Sequence, residues 1–399
     1  MTPQVAHGQS GRVRQLDSLR GIAAVLVLLH HARQAFINNV DDASTGLSAY
    51  LDVGRLGVVI FFLISGFVIV KAVPRSDFRS TAQFWKHRFY RLFPAFWISV
   101  FFATFVAYLV VSTGCCAFVM PVTGEMFLAN MTMIPLRFHQ PMLIGVYWSL
   151  ELELLFYALI SMIALAGFNG AKTVTRAALL AFMAAIVAAA TTATHSGAGE
   201  IGKDQLFLAM LHLSIMFAGG ALRYHWDEQG DVKNRLAGMP TLLKAYFFLQ
   251  LAFFSIVVAI KARHGIEPHT FRVAATYLLG IAAFLACLYY CNGSRFGMFM
   301  GNRSYGIYLL HVPVLSMVSF SIAKFAVPPL GYFSYILVAG VVTLALADAS
   351  RRFVERPAIR LGHMSYRGSV KRRPPSMTVA TGLPVSEVRP LLPIERAKS

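Results

Sequence analysis

Charged residues are scarce in this chain. Only 14% of its 399 residues are Asp, Glu, Lys or Arg, whereas 57% are hydrophobic, and the mean hydropathy is +0.60. A soluble protein of this length needs a charged surface around its core, and this composition does not supply one. The composition therefore argues against an ordinary soluble enzyme and indicates a chain whose surface is covered largely by lipid.

Acidic residues are rarer than basic ones. The sequence has 18 Asp and Glu against 36 Lys and Arg, which gives a formal net charge of +18. A basic excess of this size is typical of nucleic-acid-binding proteins. Here, however, the basic residues occupy short loops and the C-terminal tail, between apolar runs. Because membrane proteins distribute Lys and Arg in this way, we expect no nucleic-acid partner.

Cysteine is also rare. The chain has four, and the adjacent pair Cys115 and Cys116 fits neither a zinc site nor a disulfide framework, so we expect no metal. The apolar run after Asp17 leads into the pair His30 and His31 without a small-residue cleavage signature. This pattern predicts a retained helix and not a signal peptide.

Long apolar segments dominate the rest of the sequence. Ten of them are long enough to cross a bilayer as helices. They are Leu19–Ile37, Gly54–Val73, Leu92–Ser112, Val146–Ala166, Ala177–Thr194, Leu206–Tyr224, Leu242–Ile260, Val273–Cys291, Tyr305–Ala326 and Tyr332–Ala349. The sequence therefore predicts an all-α polytopic membrane protein with about ten transmembrane helices.

The loops between these segments predict the orientation in the membrane. The segment from Lys71 to Arg91 holds six Lys and Arg, and the tail from Arg351 holds eleven. The first loop instead carries acidic residues, Asp41 and Asp42 among them. By the positive-inside rule, both termini are expected to be cytoplasmic.

The sequence divides into three parts on the same grounds. We expect a cytoplasmic N-terminal segment at residues 1–15, a membrane domain at 16–360, and a basic, Pro-rich cytoplasmic tail at 361–399. The tail is predicted to be disordered because it has too little apolar surface to offset the cost of ordering. Its basic cluster would suit anionic membrane lipid.

Ionisable side chains inside the membrane segments are the first functional candidates, because burying them in lipid is costly. Arg20 and His31 are eleven positions apart. On an α-helix this spacing is three turns plus roughly 20°, so both lie on one face, about 16 Å apart along the axis. His30 points about 100° away. The pair suits catalysis, but Arg20 as a topology anchor and His31 as a structural residue would give the same pattern.

Further candidates lie in later segments. Arg88 and Arg91 are three apart and share a helix face, which suits bidentate binding of phosphate groups or, alternatively, loop anchoring. Glu151 and Glu153 point in nearly opposite directions, so at most one faces a given cavity. The remaining substrate-binding or structural candidates in the membrane are Ser65, Gly66, Trp148, Tyr305, His311 and Glu355.

Six short motifs are spread over the membrane domain. They are Leu16–Gly21 with the following His31, Phe61–Phe67, Arg88–Pro94, Trp148–Tyr157, Ser304–Pro313 and Glu355–Pro357. In this order they resemble the bacterial integral-membrane acyltransferases of type 3, a family that includes O-antigen, Nod-factor and exopolysaccharide O-acetylases.

The resemblance implies a ten-helix core in the bacterial inner membrane and transfer of an acyl group to a hydroxyl of an envelope or secreted glycan. The implied donor is cytosolic acyl-CoA, usually acetyl-CoA, as a co-substrate, with no permanently bound cofactor. The resemblance implies that His31 is the general base and that Arg20, Arg88 and Arg91 bind the donor. It also implies that the acidic residue of the family's fourth-span motif is Glu153. Glu153 would then orient the acceptor or the imidazole.

Other interpretations stay open on the sequence alone. A secondary transporter or a flippase of lipid-linked sugar also has many spans and buried charges, although no inverted repeat is evident. A sensor that kept the fold and lost the chemistry is a third possibility, which the intact Arg20 and His31 disfavour. Transfer through an acyl-enzyme is an alternative to direct attack.

Overall fold

The computed structural model describes nine stretches of the chain. They are residues 13–37, 50–73, 77–111, 120–168, 170–194, 201–228, 238–263, 268–325 and 331–370. The cysteine pair, the acidic first loop and residues 371–399 of the tail lie outside them.

The described residues are almost entirely helical and contain no strand. The α-helices are α1 (Arg14–Phe36), α2 (Val53–Ile69), α3 (Phe78–Val110), α4 (Gly124–Met131), α5 (Trp148–Leu165), α6 (Ala171–Thr194), α7 (Ile201–Glu228), α8 (Thr241–Arg263), α9 (Pro268–Tyr290), α10 (Arg295–Gly301), α11 (Ser304–Lys324), α12 (Tyr332–Ser350) and α13 (Arg356–Val370). The 3₁₀ turns Pro135–Phe138 and Gly145–Tyr147 precede α5, and the π-helical segment Arg351–Glu355 joins α12 to α13.

Each of the ten predicted spans falls on a helix. Within the described ranges, eight helices are long and apolar enough to cross a membrane. These eight carry the predicted third to tenth spans. The first two spans fall short for different reasons: α2 has only 17 residues, and α1 contains charged side chains such as Asp17 and Arg20. The all-α polytopic fold is confirmed, whereas the orientation of the termini stays a prediction.

Helix starts follow local sequence chemistry. Asp52 accepts a hydrogen bond from the backbone N–H of Arg55 (2.8 Å) at the start of α2. Asp77 caps α3 by accepting hydrogen bonds from Ser80 and from the backbone N–H of Arg79. These hydrogen bonds lower the pKa of the Asp77 carboxyl. The bond from the Ser80 hydroxyl contributes most, and the backbone bonds contribute less. Such caps satisfy backbone donors that have no partner inside the helix.

Helix α2 lies at the centre of the bundle, packed between α1, α7 and α9. Its crossing with α7 is very close, because a Cβ on Gly66 would overlap the backbone carbonyl of Met216. Gly219 of α7 meets the carbonyl of Leu63 in the same way. Small residues at such crossings let helix backbones approach each other. Gly66 is therefore a packing residue of α2.

The end of the membrane domain differs from the prediction. The tail was expected to be disordered from residue 361, but α13 continues as a helix to Val370. Its buried positions face α3: Ala358 is buried, and Gly362 packs against the ring of Tyr90. Arg356 and Arg360 remain exposed. Burial of one face offsets the cost of ordering, which the composition of the segment alone does not reveal.

Candidate active site

A cavity of about 420 Å³ opens inside the bundle between α1, α2, α3, α5, α11 and α13. It brings together six of the residues that the sequence singled out, namely Arg20, Ser65, Arg88, Arg91, Glu153 and Tyr305. These positions span nearly the whole membrane domain in sequence. The helices therefore assemble a polar site inside a chain that is otherwise strongly apolar.

Three arginines give this cavity its positive charge. Arg88 and Arg91 come from the same face of α3, as their spacing predicts, and Arg20 comes from α1. The guanidinium of Arg88 lies over the ring of Phe84 at 5.4 Å. Arg20 lies 3.6 Å from Asp17, one turn earlier on α1. With a single carboxylate among the lining residues, the cavity is suited to an anion.

That carboxylate is Glu153, and it is held in a hydrogen-bond network. Its Oε1 accepts hydrogen bonds from the Ser65 hydroxyl at 2.7 Å and from the Tyr157 hydroxyl at 2.5 Å. Glu151 points away and lies 3.5 Å from Arg137 instead. The opposite directions of the two acids agree with the helical spacing. Ser65 is placed by the structure as a partner of Glu153.

Tyr305 and Glu355 lie next to each other at one side of the cavity. Tyr305 lines the cavity and donates a hydrogen bond to the backbone carbonyl of Leu92 at 2.8 Å. Glu355 does not line it but is buried in the π-helical segment, within electrostatic range of Arg91. Such π-helical insertions occur often at functional sites. Glu355 therefore lies near Arg91 without lining the cavity.

The predicted base, His31, lies outside this cavity. Its ring is half-buried and lies 5.2 Å, centroid to centroid, from the ring of His311. His31 Nδ1 is 2.8 Å from Oε1 of Gln34. The two predicted histidines therefore form a pair, contributed by α1 and α11.

Tyr308 separates the histidine pair from the arginine cavity. Its ring lines the cavity and lies 5.9 Å from the ring of His311 and 5.9 Å from that of Phe61. Its hydroxyl donates to the carbonyl of Val146 and is 2.7 Å from the hydroxyl of Ser149. Sequence reasoning did not single out Tyr308, although it lies within the Ser304–Pro313 motif.

His30 has different neighbours, as its direction on α1 predicts. Its Nδ1 lies 3.8 Å from the carboxylate of Asp52, and its ring packs against Gly54 at the start of α2. Although its ring also meets that of His31 edge-on at 5.1 Å, the polar contact is with α2. His30 is therefore a useful control for His31.

Trp148 and Gly66 belong to the packing of the bundle. The indole of Trp148 lies 5.1 Å from the ring of His212 and 5.9 Å from that of Phe62. Neither Trp148 nor Gly66 lines the cavity. The sequence leaves both as substrate-binding or structural candidates, and these contacts with neighbouring helices favour the structural role.

The sequence reasoning missed two histidines at the mouth of the cavity. His87 of α3 and His363 of α13 both line it, and their ring centroids are 4.4 Å apart. The composition predicts that His363 lies in a disordered tail, so the sequence did not predict this pair. The amphipathic spacing of residues 356–363 is the signal that would have placed α13 against α3.

Fold and site together define an integral membrane protein with an arginine-lined cavity beside the His31–His311 pair. A family model described as an acyltransferase domain matches residues 13–352. The chain belongs to this acyltransferase family. Membership of this family disfavours the transporter and flippase interpretations. The acyltransferase model covers the membrane helices themselves, so these helices belong to the acyltransferase domain.

Several curated relatives carry names that specify a reaction. The chain is 26% identical over 379 residues to a putative peptidoglycan O-acetyltransferase, YrhL, of Bacillus subtilis (strain 168), covering 88% of this chain and 55% of that protein. It is 22% identical over 377 residues to the O-acetyltransferase OatA of Staphylococcus aureus (strain NCTC 8325 / PS 47), with 88% and 58% covered.

A third relative is the peptidoglycan O-acetyltransferase OatA of Listeria monocytogenes, 22% identical over 382 residues, with 89% of this chain and 57% of that protein covered. The chain thus spans little more than half the length of these relatives. No solved structure matches it significantly.

Proposed function

We propose that this protein is a membrane O-acetyltransferase that moves an acetyl group from cytosolic acetyl-CoA to a hydroxyl of a cell-envelope glycan in the bacterial inner membrane. The observation that carries the proposal is the arginine-lined cavity leading towards the His31–His311 pair. The names of the relatives support peptidoglycan as the acceptor class, in place of the O-antigen or exopolysaccharide that the resemblance first suggested.

The arginine cavity is the proposed donor site. Coenzyme A carries several phosphate groups, and planar guanidinium groups bind phosphate oxygens through paired, charge-assisted hydrogen bonds. Arg20, Arg88 and Arg91 all line the same cavity, so one phosphate-bearing ligand can reach all three. His87 and His363 stand at the mouth through which that ligand would enter.

Glu153 takes a donor-side role in this proposal. Its hydrogen-bond partners, Ser65 and Tyr157, belong to the cavity, and Tyr308 stands between the cavity and the histidines. The carboxylate balances the positive charge of the arginines and holds two hydroxyl groups in place. The resemblance left open that Glu153 orients the His31 imidazole directly; this proposal instead assigns the carboxylate to Ser65 and Tyr157, its hydrogen-bond partners among the described residues.

His31 is the proposed general base. The acceptor hydroxyl gives its proton to the unprotonated ring nitrogen as its oxygen attacks the thioester carbonyl. The C–O bond forms, the C–S bond breaks, and the departing thiolate takes up a proton. Imidazole suits this step at neutral pH. Since Tyr308 lies between donor cavity and base, the thioester must pass beside or displace its ring.

The test compares two adjacent histidines in the same assay. Purified protein in nanodiscs is given acetyl-CoA and soluble peptidoglycan glycan strands, and ester formation is followed. We expect His31→Gln to reduce transfer at least about a hundredfold, the typical contribution of general-base catalysis. His30→Gln is expected to stay within about threefold of wild type, because a contact at 3.8 Å from Asp52 contributes little.

Comparable loss in both variants would refute the assignment of the base. If the wild-type protein consumes no thioester in the presence of the glycan, the proposed function itself is wrong.

A further inference from the structure

Buried in α11, His311 has one nitrogen engaged and one free. The residue is 0% exposed. Its Nδ1 lies 3.1 Å from the backbone carbonyl oxygen of Ile307. A carbonyl oxygen only accepts hydrogen bonds, so Nδ1 must carry the proton. In the neutral ring the lone pair then resides on Nε2, and Nε2 has no hydrogen-bond partner among the described residues.

A buried acceptor without a partner is unusual and costly. Leaving such a group unpaired costs about 1–3 kcal/mol, and unpaired groups of this kind are often explained by a catalytic role or an unseen partner. The nearest titratable ring is that of His31, 5.2 Å away between centroids and tilted by 35°. The unpaired Nε2 of His311 is therefore in the vicinity of the proposed base.

His31 needs such an acceptor at one moment of the reaction. Its Nδ1 is already hydrogen-bonded to Oε1 of Gln34, which an Nδ1–H donor satisfies. When His31 takes the proton of the acceptor hydroxyl, both ring nitrogens carry hydrogen and both need acceptors. Gln34 accepts one bond. A second acceptor beside the ring would stabilise the imidazolium and hold its orientation.

We propose that His311 is a positioning residue for the base: its Nε2 accepts a hydrogen bond from protonated His31 and stabilises the imidazolium formed during acyl transfer. This inference rests on the proposed function and deepens it. In a catalytic triad the third residue accepts a hydrogen bond from the ring nitrogen that does not take the proton; here Gln34 holds that place, and His311 accepts from the nitrogen that has taken the proton. In a lipid-embedded site a neutral acceptor avoids the cost of burying another charge.

Two other aromatic side chains lie near the His31–His311 pair. His30 and Tyr308 also have rings close to His31 and His311, respectively. However, Nδ1 of His30 lies 3.8 Å from Asp52, and the Tyr308 hydroxyl is engaged by Val146 and Ser149. Of these three groups, only His311 has a fully buried acceptor atom that lacks a hydrogen-bond partner among the described residues.

Two substitutions separate this role from simple packing. In His311→Asn the side-chain amide can replace Nδ1–H and keep the bond to Ile307, but it leaves nothing at the position of Nε2. In His311→Gln the longer amide can place an oxygen near the position of Nε2. The two variants are similar in polarity, so they differ mainly in which nitrogen they imitate. His30→Asn serves as the matched control.

We expect His311→Asn to lower kcat about tenfold, the effect of losing one charge-assisted hydrogen bond. The KM for acetyl-CoA should stay within about twofold, because His311 does not line the donor cavity. His311→Gln should recover most of the lost rate, and His30→Asn should match wild type. Adding His311→Asn to His31→Gln should slow the reaction by less than about twofold further, since residues that act as a unit are not additive.

Wild-type kcat in His311→Asn overturns the inference. It is equally overturned if both His311 variants lose the same rate together with thermal stability, or if the double variant shows independent losses. Absence of transfer by the wild-type protein in the same assay instead contradicts the proposed function, so the two failures are distinguishable.

Discussion

At the scale of single residues, the arginines of α3 allow charge and geometry to be separated. Arg88 and Arg91 both line the cavity, and Arg88 also lies over the ring of Phe84. Lysine at these positions keeps the positive charge that orients the loop but loses the planar group that grips phosphate in two places. The substitution therefore distinguishes donor binding from membrane anchoring.

We predict that Arg88→Lys and Arg91→Lys each raise the KM for acetyl-CoA at least about tenfold, because losing a hydrogen bond to a charged group costs about 1.5–3 kcal/mol. The measurement is a titration of acetyl-CoA on purified protein in nanodiscs with excess glycan. Lys86, which does not line the cavity, provides the control through Lys86→Arg. If both lysine variants have the wild-type KM for acetyl-CoA, the two arginines do not bind the donor and only anchor the loop.

At the scale of helices, the crossing of α2 with α7 holds the cavity wall in place. Ser65 lines the cavity, and the neighbouring Gly66 faces the backbone of Met216 on the other side of α2. Any displacement of α2 at Gly66 should therefore also move Ser65 relative to Glu153. The packing of Gly66 against Met216 therefore helps to position the hydrogen bond from Ser65 to Glu153.

We predict that Gly66→Ala destabilises the protein by about 1–3 kcal/mol, because a Cβ has no space against a fixed backbone carbonyl. The readout is the apparent Tm in detergent, together with donor consumption. Gly340→Ala in α12 is the control, since nothing lies within 4 Å of a Cβ at that position. Because alanine favours a helix interior over glycine, Gly340→Ala should keep or raise the apparent Tm. An unchanged apparent Tm in Gly66→Ala would contradict the close approach of the two helices.

At the scale of the whole molecule, the proposed function requires that donor and acceptor enter from opposite sides of the membrane. The arginine cavity opens beside α13 and the start of α3, the part of the chain that is richest in Lys and Arg. The positive-inside rule places that side in the cytosol, where acetyl-CoA is available. The proposed function thus depends on the predicted orientation.

We predict that a reporter fused after Ser399 is cytoplasmic and that one inserted beside Asp42 lies outside the cytoplasm. The physical reason is the strong Lys and Arg excess in the tail against the acidic first loop. Paired fusions of a phosphatase, active only outside, and a fluorescent protein, active only inside, give the readout. A C-terminus found outside would mean an odd number of crossings and would place the arginine cavity on the wrong side for a cytosolic donor.

Much of the site could be predicted because ionisable residues are rare in and beside apolar membrane segments. Arg20 and Glu153 were recognisable as costly charges in apolar segments, and Arg88 and Arg91 as a same-face pair just before the third span. The structure gathers all four around one cavity. Hydropathy fixes how deep a residue lies along a helix, however, and not which neighbour its helix faces. His31 and Glu153 both lie in predicted membrane spans, yet Tyr308 separates them.

The sequence by itself determined what depends on local pattern: a lipid-embedded, all-helical chain, the positions of its ten apolar helices, and opposite directions for Glu151 and Glu153. The tertiary structure decided what depends on helix neighbours. It pairs His31 with His311, gives Ser65 to Glu153, makes Gly66 a packing residue and orders α13 against α3. The physical reason is that local periodicity sets the direction of a side chain on its own helix, whereas its partner is set by burial across helices far apart in sequence.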